Sequence, residues 1–268
     1  MATTDKLFAG SIPEIYDQLL VPLIFEACAR DLADRVASAK PTTILEVAAG
    51  TGALTRALAS RLPKARIMAT DLNQPMLDKA ALRQPPGRIE WKQADALALP
   101  FPDESFDAVV CQFGAMFFPD KVQGYREARR VLRSGGRYLF NVWDRISENE
   151  FADVVTEALV AVFPQDPPRF MARTPHGYHD VARIRHELEA AGFVDIAVDA
   201  VDGVSKASSP RIPAIAICQG TPLRNEIEAR DAARLEEATE RAAEAVARRF
   251  GNGAVEGRIR ALVMTARR

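Results

Sequence analysis

The segment Ile44-Leu45-Glu46-Val47-Ala48-Ala49-Gly50-Thr51-Gly52 constrains the fold of this chain more than any other. A short apolar run reads as a buried strand, breaks into small residues, and gives way to a helical pattern near Ala53. Small side chains in such a turn let backbone N–H groups approach a ligand, and the helix N-terminus favours electron-rich groups. Asp71 closes a second apolar run about 20 residues further on, where a carboxylate can accept hydrogen bonds from a ribose diol. From Thr42 to Asp144 strands and helices then alternate regularly, which favours a parallel sheet with helices on both faces. The bend and the carboxylate together point to a nucleoside cofactor.

A dinucleotide fingerprint needs G-x-G-x-x-G, whose third glycine lets helix and strand pack closely. Counted from Gly50 that position is Thr55; counted from Ala48 the pattern becomes Ala-x-Gly-x-x-Ala. The stretch instead resembles motif I of class I S-adenosylmethionine-dependent methyltransferases, E/D-x-G-x-G-x-G. Glu46, Gly50 and Gly52 match it, and Ala48 replaces the first glycine. Residues 67–77 are similar to that family's second strand and following helix. Gln93-Ala94-Asp95-Ala96 follows a short strand at Ile89-Glu90-Trp91, and residues 106–113 and 130–140 resemble the fourth and fifth strands with their flanking turns.

The resemblance implies a set of cofactor contacts. Glu46 would orient motif I and approach the methionine amino group, or hold backbone N–H groups only. Ala48, Gly50, Thr51 and Gly52 would offer backbone contact, and Asp71 would bind the ribose hydroxyls. Leu72 and Met76 would pack by the nucleoside, and Asp95, flanked by Ala94 and Ala96, would take the adenine amino group. Gln112 stands on the cofactor side at the end of the fourth strand. The residues alone leave plainer roles open: Asp95 as a turn or cap residue, Met76 as core.

Acceptor information in this family lies in the loop after the fourth strand. The D/N-P-P-Y/F loop of amine methylases is absent, as is a Pro-Cys nucleophile. Phe113, Met116, Phe117 and Phe118 make the segment apolar and aromatic, which suits a small, partly hydrophobic acceptor, or fills the core. The loop 174–180 carries His176 and His179; His176 is a candidate base on the acceptor side, with loop surface or capping as the plainer role. Tyr16 is an acceptor-side candidate by analogy, and His186 reads as exposed mid-helix. No catalytic residue is assigned, and no metal motif such as H-E-x-x-H or C-x-x-C occurs.

Lysine and arginine number 35 against 36 aspartates and glutamates, so no nucleic-acid partner is expected. Arg129, Arg130 and Arg133 read as a solvated helix face. Residues 1–10 lack the pattern of a secretory leader, and no run approaches the ~18 apolar residues of a membrane span. Three widely spaced cysteines suit free thiols in the cytoplasm.

The expected architecture is one α/β domain over residues 1–268, doubly wound around a mostly parallel seven-stranded sheet of Rossmann-like methyltransferase type. Residues 12–40 form an N-terminal helical cover, divided by Pro13 and Pro22, with Pro22 suited to a first helical turn. Residues 42–144 are the cofactor-binding core, and Asn73 is a cap for the helix after Asp71. Helices follow at residues 148–163 and 181–191, the latter stopped by Gly192, and strands at 195–204 and 261–265. Residues 205–250 form a helical insertion whose Ile227, Leu235, Ala238, Ala242, Val246 and Phe250 make an apolar stripe on a charged helix. The expected activity is methyl transfer to a small molecule, and a homodimer is compatible with the chain. The rivals are a nicotinamide-dependent oxidoreductase and an S-adenosylmethionine-binding protein without transfer activity.

Overall fold

The computed structural model describes residue 5 and residues 7–84, 87 and 89–268. The chain folds into two compact units. The sheet unit comprises Glu26–Val142, His179–Val201 and Ala261–Arg268; the helical unit comprises the described part of Met1–Phe25 with Trp143–Tyr178 and Asp202–Arg260.

Seven strands, β1 (Thr43–Val47), β2 (Arg66–Asp71), β3 (Ile89–Gln93), β4 (Phe106–Gln112), β5 (Leu132–Trp143), β6 (Val194–Ala207) and β7 (Val255–Arg267), form one sheet. Their order is β3-β2-β1-β4-β5-β7-β6. β1 runs parallel to β2 and β4, β2 to β3, and β4 to β5. The order reverses between β1 and β4, and ligands of open α/β sheets bind beyond the strand ends at such a switch point. Ile44 to Val47 are all buried, as befits a central parallel strand, and Glu46 is the one charged residue among them. Leu54 and Leu58 of the Ala53–Arg61 helix pack with Leu32, Val36, Ile44, Ile67 and Val110 in that core.

The glycine turn before the fifth strand appears as a register shift. Leu132 pairs with Phe106 and Arg137 with Ala108, so residues 133–136 bulge from the ladder, with Gly135 at φ +76°. Gly192, at φ +89°, follows the Val181–Ala190 helix as expected. β6 and β7 are longer than the apolar pattern indicates, because ladder pairing extends them through charged residues such as Asp202 and Arg258.

Several local expectations need correction. Asn73 precedes the Gln74–Ala81 helix, but its side chain makes no capping bond; its backbone N–H and its amide both donate to Asp71. Pro22 does not start a helix. It lies inside the π-helical stretch Tyr16–Phe25, which runs between the α-helical turns Ile12–Ile15 and Glu26–Ser38, and the wider turn accommodates a residue that cannot donate. The basic face is no solvated patch. Arg129 donates to the Gly192 carbonyl at 2.8 Å, Arg133 to Asp107 at 2.5 Å, and Arg130 to the carbonyls of Leu99 and Phe101.

In the helical unit the stripe expected on one helix is divided between two. Ile227 belongs to Leu223–Asp231, while Ala238, Ala242 and Val246 are buried on Leu235–Phe250. Asp231 separates them by capping the intervening turn through the Ala233 N–H. Among the described residues no helix is long and apolar enough to cross a membrane.

Candidate functional site

The chain bends sharply at the C-terminal end of β1. Ala48, Gly50 and Gly52 have φ of +56°, +57° and +80°, and the Ala53–Arg61 helix starts from Gly52. Glycine adopts this region freely, whereas Ala48 does so at a cost of about 1–2 kcal/mol. The loop after β4 lies against the same bend: a Cβ at Gly114 would sit 2.4 Å from the Ala48 Cβ and 2.7 Å from Cys111 Sγ.

Asp71, at the end of β2, is hydrogen-bonded directly to that bend. Its Oδ2 accepts the Gly50 N–H at 2.9 Å and its Oδ1 the Asn73 N–H at 2.8 Å. The two sequence features are therefore one unit. With the Asn73 side-chain amide at 3.4 Å from Oδ1 counted, three of a carboxylate's roughly four acceptor directions are used, which leaves room for one sugar hydroxyl. Burial raises the Asp71 pKa, opposed by the bonds from Asn73 and Gly50.

Glu46 is buried in β1, and its Oε2 accepts the Thr55 hydroxyl at 2.6 Å. Its Oε1 has no partner among the described residues; neither have Thr51 Oγ1 and Asn141 Nδ2. Burial is the chief cause that raises the Glu46 carboxyl to about 8. Buried polar atoms without partners are costly, and a ligand that supplies hydrogen bonds removes the cost. The orphaned acceptor, the left-handed bend and the part-occupied Asp71 carboxylate fit the amino-acid and ribose portions of a nucleoside cofactor.

The loop after β3 is tied to the same strand end. The Ala94 N–H donates to the Asp71 carbonyl at 3.0 Å, and Gln93 Nε2 to the Leu72 carbonyl at 2.8 Å. Asp95 is exposed, and its Oδ1 accepts the Leu97 N–H at 2.9 Å in a side-chain turn, with Ala96 half-buried beside it. Leu72 is 43% exposed, whereas Met76 is buried. Hydrogen bonds thus join Gly50, Asp71 and Ala94 in one place.

In the sheet unit, Gln112 ends β4 half-buried and pairs in register with Asn141. Phe113 follows at φ +51°; both Phe113 and Met116 are buried, and Phe117 is half-buried. Lys121 Nζ holds this turn by donating to the Met116 and Phe118 carbonyls at 3.0 and 2.5 Å. Tyr16 and His176 belong to the helical unit, within one aromatic cluster. Tyr16 stacks on Phe25 at 5.2 Å between centroids, Phe25 meets Trp143 at 5.9 Å, and Trp143 meets His176 at 6.1 Å. His176 is buried with Nδ1 2.9 Å from the Asp144 carbonyl, so this nitrogen carries the proton.

Two residues escaped sequence reasoning. Thr55 closes the Glu46 bond, and Asn141 Oδ1 accepts the Phe113 N–H at 3.1 Å. A lone amide inside the apolar run of β5 is the signal that marks Asn141.

A reversed parallel sheet with this bend and carboxylate defines the Rossmann-like methyltransferase fold. Residues 45–140 match the family model described as a methyltransferase domain. Demethylmenaquinone methyltransferase of Deinococcus radiodurans is 38% identical over 138 residues, covering 49% of this chain and 56% of that protein. The ubiquinone/menaquinone biosynthesis C-methyltransferase UbiE of Hahella chejuensis is 46% identical over 103 residues, covering 36% and 41%. The chain thus spans about half the length of the curated relatives it matches. The crystal structure of a proposed methyltransferase from Bacillus halodurans superposes with a TM-score of 0.56 at 21% identity, covering 88% of this chain and 98% of that one. Residues 45–140 are thus similar to methyltransferase domains, and the fold is that of the Rossmann-like methyltransferases.

Proposed function

We propose that the chain transfers a methyl group from S-adenosylmethionine to a small, partly apolar acceptor. The observation that carries this reading is the hydrogen-bonded unit of Asp71 and the Ala48–Gly52 bend, beside the orphaned Glu46 Oε1. When bound, the cofactor supplies a methyl group already activated by positively charged sulfur. The chain's own task is alignment and exclusion of water.

In this reading Asp71 accepts from a ribose hydroxyl, and Glu46 Oε1 faces the methionine amino group. Ala48, Gly50, Thr51 and Gly52 present backbone. Asp95 takes the adenine amine between Ala94 and Ala96, Leu72 and Met76 flank the nucleoside, and Gln112 closes the cofactor side. Thr55 argues against a nicotinamide cofactor, because its side chain occupies the place of the third glycine and is committed to Glu46.

For the acceptor, the names of the similar proteins suggest a quinone-type ring, and the aromatic segment at Phe113, Met116 and Phe117 suits one. Tyr16 and His176 join the acceptor side by family resemblance. A cytoplasmic location goes with this reading, in which Cys28, Cys111 and Cys218 stay buried thiols. The reading includes no nucleic-acid partner and admits a homodimer.

Titration calorimetry with S-adenosylhomocysteine tests cofactor use directly. Transfer of labelled methyl from S-adenosylmethionine into a metabolite extract, then mass identification of the product, tests the activity, with a reduced isoprenoid quinone as first candidate. A folded protein that ignores this cofactor and binds NAD overturns the proposal.

A further inference from the structure

The Lys121–Val131 helix grips the loop after β3 through three side chains. Gln123 Nε2 donates to the Leu97 carbonyl at 3.1 Å. Glu127 Oε2 accepts the Leu99 N–H at 2.8 Å. Arg130 donates to the carbonyls of Leu99 at 2.9 Å and Phe101 at 2.8 Å, and to Asp103 Oδ1 at 2.7 Å. Both oxygens of Glu127 meet the same guanidinium at 2.8 and 2.9 Å, a bidentate pair that fixes its plane. These two side chains are 14% and 31% exposed, so the pair is largely shielded from solvent.

The bonding continues to the Asp95 carboxylate. Leu97, held by Gln123 through its carbonyl, donates its N–H to Asp95 Oδ1, and the Ala98 N–H donates to the Asp95 carbonyl at 3.1 Å. The near end of the loop is anchored by Ala94 on the Asp71 carbonyl. Every second residue from 95 to 103 is therefore tied to a neighbour. Connecting segments are ordinarily more mobile than the strands and helices they join, which leaves their side chains without a fixed direction. Here a planar five-donor fork spans three loop residues at once, which a lysine cannot do.

We infer that Glu127 and Arg130 are positioning residues for the purine end of the cofactor, fixing the 95–103 loop so that Asp95 meets the exocyclic amine. The inference rests on the methyltransferase reading above. It gives the pair a role in cofactor selectivity beyond holding the fold together. A merely structural pair would change stability and leave that selectivity untouched.

Calorimetric affinities for S-adenosylhomocysteine and for the analogue with hydrogen in place of the purine amine provide the test. The wild-type protein favours the amine-bearing ligand by roughly tenfold or more, the scale of one hydrogen bond to a charged group. Arg130→Met reduces this preference to about threefold or less, as a loop that samples several positions loses that bond. Arg129→Met is the control: it removes a comparable bond, to Gly192, from the same helix and keeps the preference. Should Arg130→Met not fold, Glu127→Gln carries the test, since it retains side-chain shape while weakening the bidentate pair, and it shifts the preference the same way. Full preference in a folded Arg130→Met or Glu127→Gln protein overturns the inference and leaves the methyltransferase reading standing. Equal wild-type affinity for the two ligands overturns it as well. A wild-type protein that binds neither ligand overturns the functional reading, and this inference with it.

Discussion

Thr55 donates its hydroxyl hydrogen to Glu46 at 2.6 Å, across the seam where the Ala53–Arg61 helix packs on β1. A dinucleotide-binding turn would place a glycine there and bring helix and strand together through bare backbone. In this protein a polar link replaces that contact. It satisfies one oxygen of a buried carboxyl, while the other has no partner among the described residues.

That carboxyl should make the ligand-free protein sensitive to pH. Burial raises Glu46 from 4.5 to about 8, so between those values the folded state holds a proton that the unfolded state has released. The stabilising contribution is complete below 4.5 and declines as pH rises toward about 8. Asp71, raised by burial too, acts in the same direction. Thermal unfolding of the ligand-free protein is expected to show Tm falling from about pH 5 to about pH 8, and Glu46→Gln should flatten that slope. A wild-type Tm that climbs across this interval contradicts the assignment.

Asp71→Ala removes both the acceptor for the Gly50 N–H and the proposed ribose contact. Binding of S-adenosylhomocysteine should weaken by roughly 1–3 kcal/mol, the range for hydrogen bonds to charged groups. Calorimetry on the folded variant decides the matter, with unchanged affinity counting against the site.

Two glycines separate crowding from backbone strain. At Gly114 a methyl group would meet Ala48 and Cys111 at 2.4 and 2.7 Å, so Gly114→Ala should cost about 1–3 kcal/mol by overpacking and disturb the cofactor bend. Gly135 has φ +76° and nothing within 4 Å of an added Cβ, so Gly135→Ala should cost only strain, about 1–2 kcal/mol, with cofactor affinity intact. Urea unfolding and cofactor titration of both variants test the contrast. Equal effects on binding would refute it.

In the helical unit, Arg173 pairs with the buried Asp5 and with Glu226 at 2.5 Å, while Thr174 Oγ1 donates to Asp5 at 3.1 Å. Arg173→Met strands the Asp5 charge. Because the arginine side chain is 40% exposed, the expected loss is about 1–3 kcal/mol, below that of a fully buried pair. The double variant Asp5→Asn, Arg173→Met should recover part of this in denaturant unfolding. No recovery would show that the loss has another origin.

Much of the sheet unit was legible because its signals are local. The apolar run of β1, the small residues after it and the acidic residue ending β2 lie within a few residues of the structures they specify, and turn chemistry acts at that range. Pro22 was misread for the opposite reason. Its ring rules out ordinary helical bonding, and the π-helical turn that accommodates it cannot be inferred from hydropathy spacing. The charged extensions of β6 and β7 were invisible to pattern, since ladder partners supply their order.

The amino-acid sequence by itself determined the strand, bend and helix from β1 to Ala53, and the spacing that sets Asp71 at the neighbouring strand end. Periodicity and backbone preference are enough for those, because each depends on residues adjacent in the chain. Only the tertiary structure decided that Asp71 holds Gly50, that Glu46 is buried with one oxygen unpaired among the described residues, and that Arg130 grips a loop instead of facing water. Those outcomes depend on which distant segments meet and exclude solvent. Burial and partner choice are properties of the assembled sheet and helices, and no local stretch of sequence encodes them alone.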